Sequence, residues 1–328
     1  MSAKKQYKGL DPARAARMYA RDKASGFGAS YIPAIQVLQD APSQSSPSLL
    51  FSHKLGRDLH LLSRGEFRAA LHALHLPELV DLHEQKILQP LESPHPLMEH
   101  PLMSGNLLPN VPGTAPICKQ LLCKHPSVMV KAPDDETMRG SVYYPYVGDL
   151  LLILTDANGL RCVNWSIKRS SKQFGLTDEA IDPQNTTALK QKQKARRRLE
   201  IERLYYAPID VPTYPIAYDD FDPVVSRNLF VLMVLGEQAP PLDDLGWVEL
   251  TAHLLRGIQQ RRSINELAES WSIRHGLPFD AAYQLVHKAL WERRVLVDLY
   301  RTILPDRALS PGARDVVAEI RGKWLGSM

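Results

Sequence analysis

The sequence predicts an α/β fold: a core with a mixed sheet flanked by helices, followed by a mostly helical, winged-helix-like C-terminal domain. Three observations predict it. The run VGDLLLILT (147–155) is strongly apolar and reads as a buried strand, and RCVNWSIK (161–168) reads as its return after the turn signal Asp156-Ala157-Asn158-Gly159. Helical patterns follow Ser63 and cover residues 178–206. After about residue 225 the composition turns helical.

Residues 11–24 read as a short helix carrying Arg14, Arg17, Arg21 and Lys23, either a solvated face or a basic arm that touches phosphates. Gly26 and Gly28 break the pattern, Tyr31-Ile32-Pro33 opens an extended piece, and residues 40–48 form a polar loop. From Leu49, LLFSHKLGRDLHLL reads as two short strands joined by a turn at Gly56. Ser63 is a good N-cap for the helix EFRAALHAL, with Glu66 in its first turn. VDLHEQKIL is a strand candidate, and the many prolines of residues 89–116 mark an irregular insertion or loop. VPTYPIAYD (211–219) reads as another strand, so the middle of the chain runs α–β–β–β–α–β. Residues 263–271 and 278–291 are two short amphipathic helices, and RRVLVDL after them is strand-like. Helix–helix–strand suits a winged-helix or helix-turn-helix module, and a plain helical interaction domain fits the same periodicity. The expected division is 1–48 as a basic arm and helix, 49–225 as the core domain and 226–328 as the helical domain.

The bulk composition narrows the class. The chain has 328 residues, long enough for two domains, with 44% hydrophobic and 23% charged residues, as in an ordinary soluble globular protein. A net charge of +4 leaves a nucleic-acid partner to be argued from local distribution. Three cysteines suit a reducing cytoplasm rather than a disulfide scaffold. No run of 18 apolar residues predicts a membrane span, and the basic N-terminus lacks the apolar stretch of a secretory signal. No G-x-x-x-x-G-K-[ST] occurs, so the chain is not expected to hydrolyse ATP.

The chemistry-bearing constellation is Glu66, Asp149 and Lys168. Asp149 is the acid inside an apolar strand, where charge requires a partner or a metal. If the two strands form a hairpin, Asp149 and Lys168 face one cleft, in the D-x(n)-(E/D/S/Q)-x-K arrangement of metal-dependent nucleases. Carboxylates hold Mg²⁺ through hard oxygen ligands. The ion activates water and screens the phosphate, and the lysine stabilises developing charge. Several other residues carry weaker signals. Cys118, Cys123 and His125 lack a fourth zinc ligand, and Cys162 reads as core. His53 and His60 flank the Gly56 turn, near DNA or merely on a strand, and His72, His75 and His83 have no metal spacing. Trp247, Trp271 and Trp291 read as core.

Further motifs carry a resemblance. Tyr31-Ile32-Pro33, Ser52-His53-Lys54 with Gly56-Arg57, and His60-Leu61-Leu62-Ser63 followed by Glu66 come first. Val80-Asp81-Leu82-His83-Glu84-Gln85, Leu199-Glu200-Ile201-Glu202-Arg203 with Tyr205, and Asp222-Pro223-Val224-Val225 follow in order. This series, from about residue 25 to 230, resembles TnsA, the endonuclease subunit of heteromeric transposases. The resemblance implies a restriction-endonuclease-like fold, cytoplasmic and acting at the prokaryotic nucleoid. It also implies Mg²⁺-dependent cuts (Mn²⁺ substituting) at the 5′ ends of a transposon during cut-and-paste transposition. The implied partners are double-stranded DNA, a TnsB-like recombinase and, through the C-terminal domain, a TnsC-like ATPase. Glu66 and Asp149 are then the metal-binding carboxylates, Lys168 the catalytic lysine and Glu202 an auxiliary acid. Ser166 stands where the family often has glutamine, and the Ile167 carbonyl becomes a further metal ligand. Arg57, Lys54, Lys190, Lys194, Arg196 and Arg197 become candidate DNA contacts. The serine leaves open a non-catalytic DNA-binding or assembly subunit, and a stand-alone restriction-type nuclease is the other alternative.

Overall fold

A computed structural model describes residues 10–40, 46–105, 107–131, 139–176 and 185–326. The described chain divides into two compact units. One runs up to Phe67 and resumes over Glu78–Tyr218; the other joins Arg68–Pro77 to the chain from Asp219 onward. Packing therefore draws the divisions differently from 48 and 225: the N-terminal helix belongs with the sheet, and a segment from the middle of the chain belongs with the helices.

In the first unit, α1 (Pro12–Ala24) starts on the side chain of Asp11, with proline in its first turn. Its three arginines are tied to one acid, although Arg17 stays half-exposed and Lys23 is exposed. Arg17 donates to the buried carboxylate of Asp40 at 3.1 Å, Arg21 bonds the same carboxylate, and Arg14 donates to the Asp40 carbonyl at 2.9 Å, at the end of the one-turn α2 (Val37–Asp40). The acid that gathers these arginines lies in the segment read as loop, so their use could not be seen from the helix alone. Strands β1 (Ser48–Ser52) and β2 (Arg57–Leu61) form the expected hairpin. Helix α3 (Arg64–Leu74) follows, with its first turn in this unit and the remainder in the second.

The single strand candidate VDLHEQKIL divides into β3 (Leu79–Glu84) and β4 (Ile87–Leu88), because Gln85 between them is left-handed at φ 55°. The proline-rich segment is irregular, as expected, apart from α4 (Thr114–Gln120) and a short 3-10 turn. It is no mere excursion: Leu97 and Val111 from it, with Ile117 and Cys118 of α4, enter the core. Then come β5 (Ser127–Lys131), β6 (Arg139–Tyr143), β7 (Tyr146–Val147), β8 (Leu150–Asp156) and β9 (Gly159–Lys168). Helix α5 (Thr186–Tyr206) and β10 (Thr213–Ala217) complete the unit. The start of the predicted helix, 178–184, lies outside the described residues, as do 41–45 of the predicted loop.

The central sheet is mixed, in the order β10-β9-β8-β3, with β10 parallel to β9 and the other pairs antiparallel. The β8–β9 hairpin pairs Leu151 with Asn164 and Ile153 with Cys162. Side chains alternate across a strand, so odd positions of β8 and even positions of β9 share one face. There Leu151, Ile153 and Cys162 pack with Ile201, Tyr205 and Tyr206 of α5 in one buried cluster. Leu150, Leu152 and Leu154 on the other face are buried as well, which is why β8 reads as a continuous apolar run rather than an alternating one.

The second unit is helical: α6 (Pro223–Gly236), α7 (Asp244–Gln259), α8 (Ile264–His275), α9 (Phe279–Trp291) and α10 (Val316–Trp324). A capping box between Ser263 and Glu266 opens α8, and Gly276 at φ 65° closes it. Helix α9 packs against both α6 and α8. The strand expected of RRVLVDL is not formed. Val295, Val297 and Leu299 are buried at the alternate positions that suggested it, but only an isolated bridge joins Val297 to Pro311. A proline partner has no N–H to extend the ladder.

Two histidines make this unit acid-labile. Burial lowers His72 to about 4 and His75 to about 3, against an ordinary 6.5. The folded values lie below the unfolded one, so between them the unfolded chain binds more protons and stability is lost as pH falls. From pH 7 to pH 5 each costs roughly 2 kcal/mol, for about 1.5 pH units below the unfolded pKa. Calorimetric melting is expected to fall over that interval, and His75→Phe is expected to remove part of the fall. A melting point independent of pH from 7 to 5 would contradict the assignment.

Candidate active site

Three elements bring the candidate site together. Asp149 precedes β8, Lys168 ends β9, and Glu66 lies in the first turn of α3. The hairpin does what the spacing predicts: Asp149 Oδ2 accepts the Ile167 backbone N–H at 2.6 Å and the Lys168 ammonium at 3.3 Å. Lys168 also donates to the Ile167 carbonyl at 2.9 Å. The ammonium therefore lies on two of the oxygens expected to hold a metal ion.

Gly65 lets α3 approach this strand end. A Cβ there would stand 3.0 Å from Ile167 Cγ2 and 3.8 Å from the Lys168 carbonyl. Its neighbour Glu66 is buried and held on both oxygens. Oε2 accepts from the Leu62 N–H and from Gln85 Nε2, each at 2.8 Å, and Oε1 from the Ser63 hydroxyl at 2.9 Å. The Ser63 hydroxyl in turn accepts from the Glu66 N–H at 3.1 Å, so the serine also caps the helix. Burial and then the charge of Asp149 push Glu66 up to about 7. A buried carboxylate whose proton affinity is raised by a second one is a place where a divalent cation is favoured. Among the described residues no three His, Cys, Asp or Glu side chains gather into a metal cage. Two carboxylates, helped by a backbone oxygen and solvent, would suit Mg²⁺.

Behind the lysine lies a buried polar layer. Asn164, Ser166 and Lys168 share the α5 face of β9. Glu202 on α5 meets Arg198 at 3.0 Å and Asn164 at 3.4 Å, and Ser166 bonds it as well. Burial raises Glu202, while Asp149 and Lys168 act on it through space. Arg198 and Asn164 engage its oxygens, so in this arrangement Glu202 orients and balances charge beneath Lys168. Ser166 is buried beside it rather than presented at the cleft. Burial lowers Lys168 and the charges of Asp149 and Glu202 raise it, with a net upward shift that keeps the ammonium charged.

Sequence reasoning missed Gln85. This one residue touches both acids: its side chain donates to the Glu66 carboxylate, and its backbone N–H donates to the Asp149 main-chain carbonyl at 3.1 Å. Left-handed backbone is uncommon outside glycine, so a buried glutamine there is held by its bonds.

The candidate DNA contacts divide. Arg57 is buried and its guanidinium grips both oxygens of Glu84, at 2.8 and 2.9 Å, which withdraws it from any phosphate. Tyr31 lies under that guanidinium and stacks on His83, which bonds Asp81 at 2.9 Å. Much of the resemblance therefore rests on one buried network. His60 is likewise turned inward, accepting the Val37 N–H at 3.0 Å. Lys54 is exposed at the β1–β2 turn, and Lys190, Lys194, Arg196 and Arg197 are exposed along α5. His125 bonds Thr114 at 2.8 Å and the Pro126 carbonyl at 2.8 Å; Cys118, Cys123 and Cys162 are free thiols.

No protein-family model matches the chain, and no curated protein matches it. No helix of the described residues is long and apolar enough to cross a membrane.

Proposed function

We propose that this chain is a Mg²⁺-dependent DNA endonuclease with a restriction-endonuclease-like core. The supporting observation is the convergence of Asp149 and Lys168 at 3.3 Å on the end of a hairpin, with the buried Glu66 close enough to feel the Asp149 charge. Bound Mg²⁺ supplies charge that polarises a phosphodiester and acidifies a water. Asp149 and Glu66, with the Ile167 carbonyl, would hold the ion, and the Lys168 ammonium would turn to the phosphate. There the ammonium stabilises the extra charge of the pentacovalent state. Glu202, with Arg198 and Asn164, keeps the strand end aligned beneath it. The exposed cations of α5 supply sequence-independent phosphate contacts.

The finer reading is a TnsA-like subunit that cuts the 5′ ends of a transposon beside a TnsB-like recombinase and under a TnsC-like ATPase, with the helical unit as a winged-helix-like partner module. The burial of Ser166 against Glu202 favours one rival, an assembly subunit that keeps the fold without cutting. Incubating supercoiled plasmid, or transposon-end DNA with the partner proteins, in Mg²⁺ separates them. Cleavage that disappears with chelator and in Asp149→Ala supports the nuclease; equal products from wild type and Asp149→Ala refute it.

A further inference from the structure

Helix α7 is apolar on two faces. Trp247, Leu250, Leu254 and Ile258 are buried and form its inner row. Leu245, Val248, Ala252 and Leu255, followed by Gln259, form a second row with alternating spacings of three and four residues. All of these are exposed, Leu245 by 68%, Val248 by 67% and Leu255 by 49%. At about 100° per residue the two rows are centred roughly 140° apart, so the outer row points away from its own unit's interior. Three-four spacing is the seam of a two-stranded coiled coil. A lone exposed leucine needs no explanation, but a continuous row on a helix already buried on its other side does.

Charge selects the occupant and its direction. With Leu245 at the first seam position, Glu249 and Arg256 fall at equivalent sites on one flank, one heptad apart, and Asp244 lies on the other flank. Two copies laid antiparallel about a two-fold axis at Ala252 bring Val248 beside Leu255 of the partner subunit. The same arrangement brings Glu249 beside Arg256 of the partner subunit, and symmetry repeats both contacts. Parallel copies instead oppose Asp244 and Glu249 of the partner subunit, two like charges. Alanine at the crossing lets the helices approach closely. Within one chain the ion pair of Glu249 is a long one, 3.9 Å to His275. We propose that α7 is a self-association surface, on which two copies of this chain pair antiparallel through Leu245, Val248, Ala252 and Leu255, with Glu249–Arg256 pairs closing the flank.

A single helix pair is a small interface, so a reversible dimer in the micromolar range is expected. Sedimentation equilibrium of the full chain tests it. Val248→Glu and Glu249→Arg are each expected to weaken the dimer about tenfold or more. The double variant Glu249→Arg/Arg256→Glu is expected to restore it, because the pair is merely exchanged. Circular dichroism melting accompanies each variant; should Val248→Glu melt early, the charge exchange alone decides. A chain that stays monomeric at high concentration overturns the proposal. So does a dimer insensitive to the single variants, or a double variant that stays monomeric.

Discussion

Replacing Lys168 with methionine is expected to reduce Mg²⁺-dependent cleavage by roughly 10³-fold, the effect of removing a cation aimed at developing charge. Folding is expected to survive. The lysine side chain is 33% exposed and its Asp149 partner 20%, so their pair is screened by solvent and contributes little to stability. Asp149 keeps the 2.6 Å bond from the Ile167 N–H, so the carboxylate stays in place when the ammonium is gone. The same substitution uncovers the Ile167 carbonyl, so metal binding should be retained while turnover is lost. Single-turnover cleavage of a labelled duplex, beside a melting curve, checks both halves. Unchanged cleavage would remove Lys168 from the mechanism.

The second large effect concerns stability. Glu84→Ala is expected to destabilise the first unit by about 3–5 kcal/mol, because it leaves the Arg57 charge buried without its carboxylate. Glu84 is fully buried and Arg57 nearly so; the pair is bidentate, and Glu84 Oε1 also accepts the His60 N–H at 3.0 Å. Arg57 further bonds the Leu82 carbonyl, and the Glu84 carbonyl accepts the Tyr31 hydroxyl at 2.7 Å. Arg57→Lys is expected to cost nearly as much, since an ammonium cannot reproduce the two-pronged contact. Replacing both partners by apolar residues should recover a large part of the loss. Urea denaturation of the single and double variants forms the cycle; a loss below about 1 kcal/mol for Glu84→Ala would contradict the buried-network account.

What was legible in the sequence follows from period and punctuation. The apolar run of β8, the Asp156–Gly159 turn and the return to Lys168 fix a hairpin register, and that register alone brings positions 149 and 168 together. Ser63 and Glu66 announce a helix start, which places a carboxylate where α3 meets the strand end. Single-sequence patterns could not show which charged residues turn inward. Arg57 sits in an alternating strand beside a turn, where cations usually face solvent, and only the distant Glu84 reverses it. The arginines of α1 are gathered by Asp40 in the same way. Gln85 was hidden because left-handed backbone leaves no mark on a strand-like segment, and the buried alternation at 295–299 imitated a strand whose pairing stops at Pro311. The outer row of α7 stayed unread because the chain after residue 225 was read only as helical in composition, without a face for each helix.

The central claim is that Glu66 and Asp149 jointly hold one divalent ion. Titration of the metal-free protein with Mn²⁺, followed by loss of the free-ion paramagnetic resonance signal, tests it without reference to DNA. One saturable site per chain is predicted, displaced by Mg²⁺ and abolished in both Glu66→Ala and Asp149→Ala. Mn²⁺ uptake that is absent, or that is unchanged in those two variants, would contradict it.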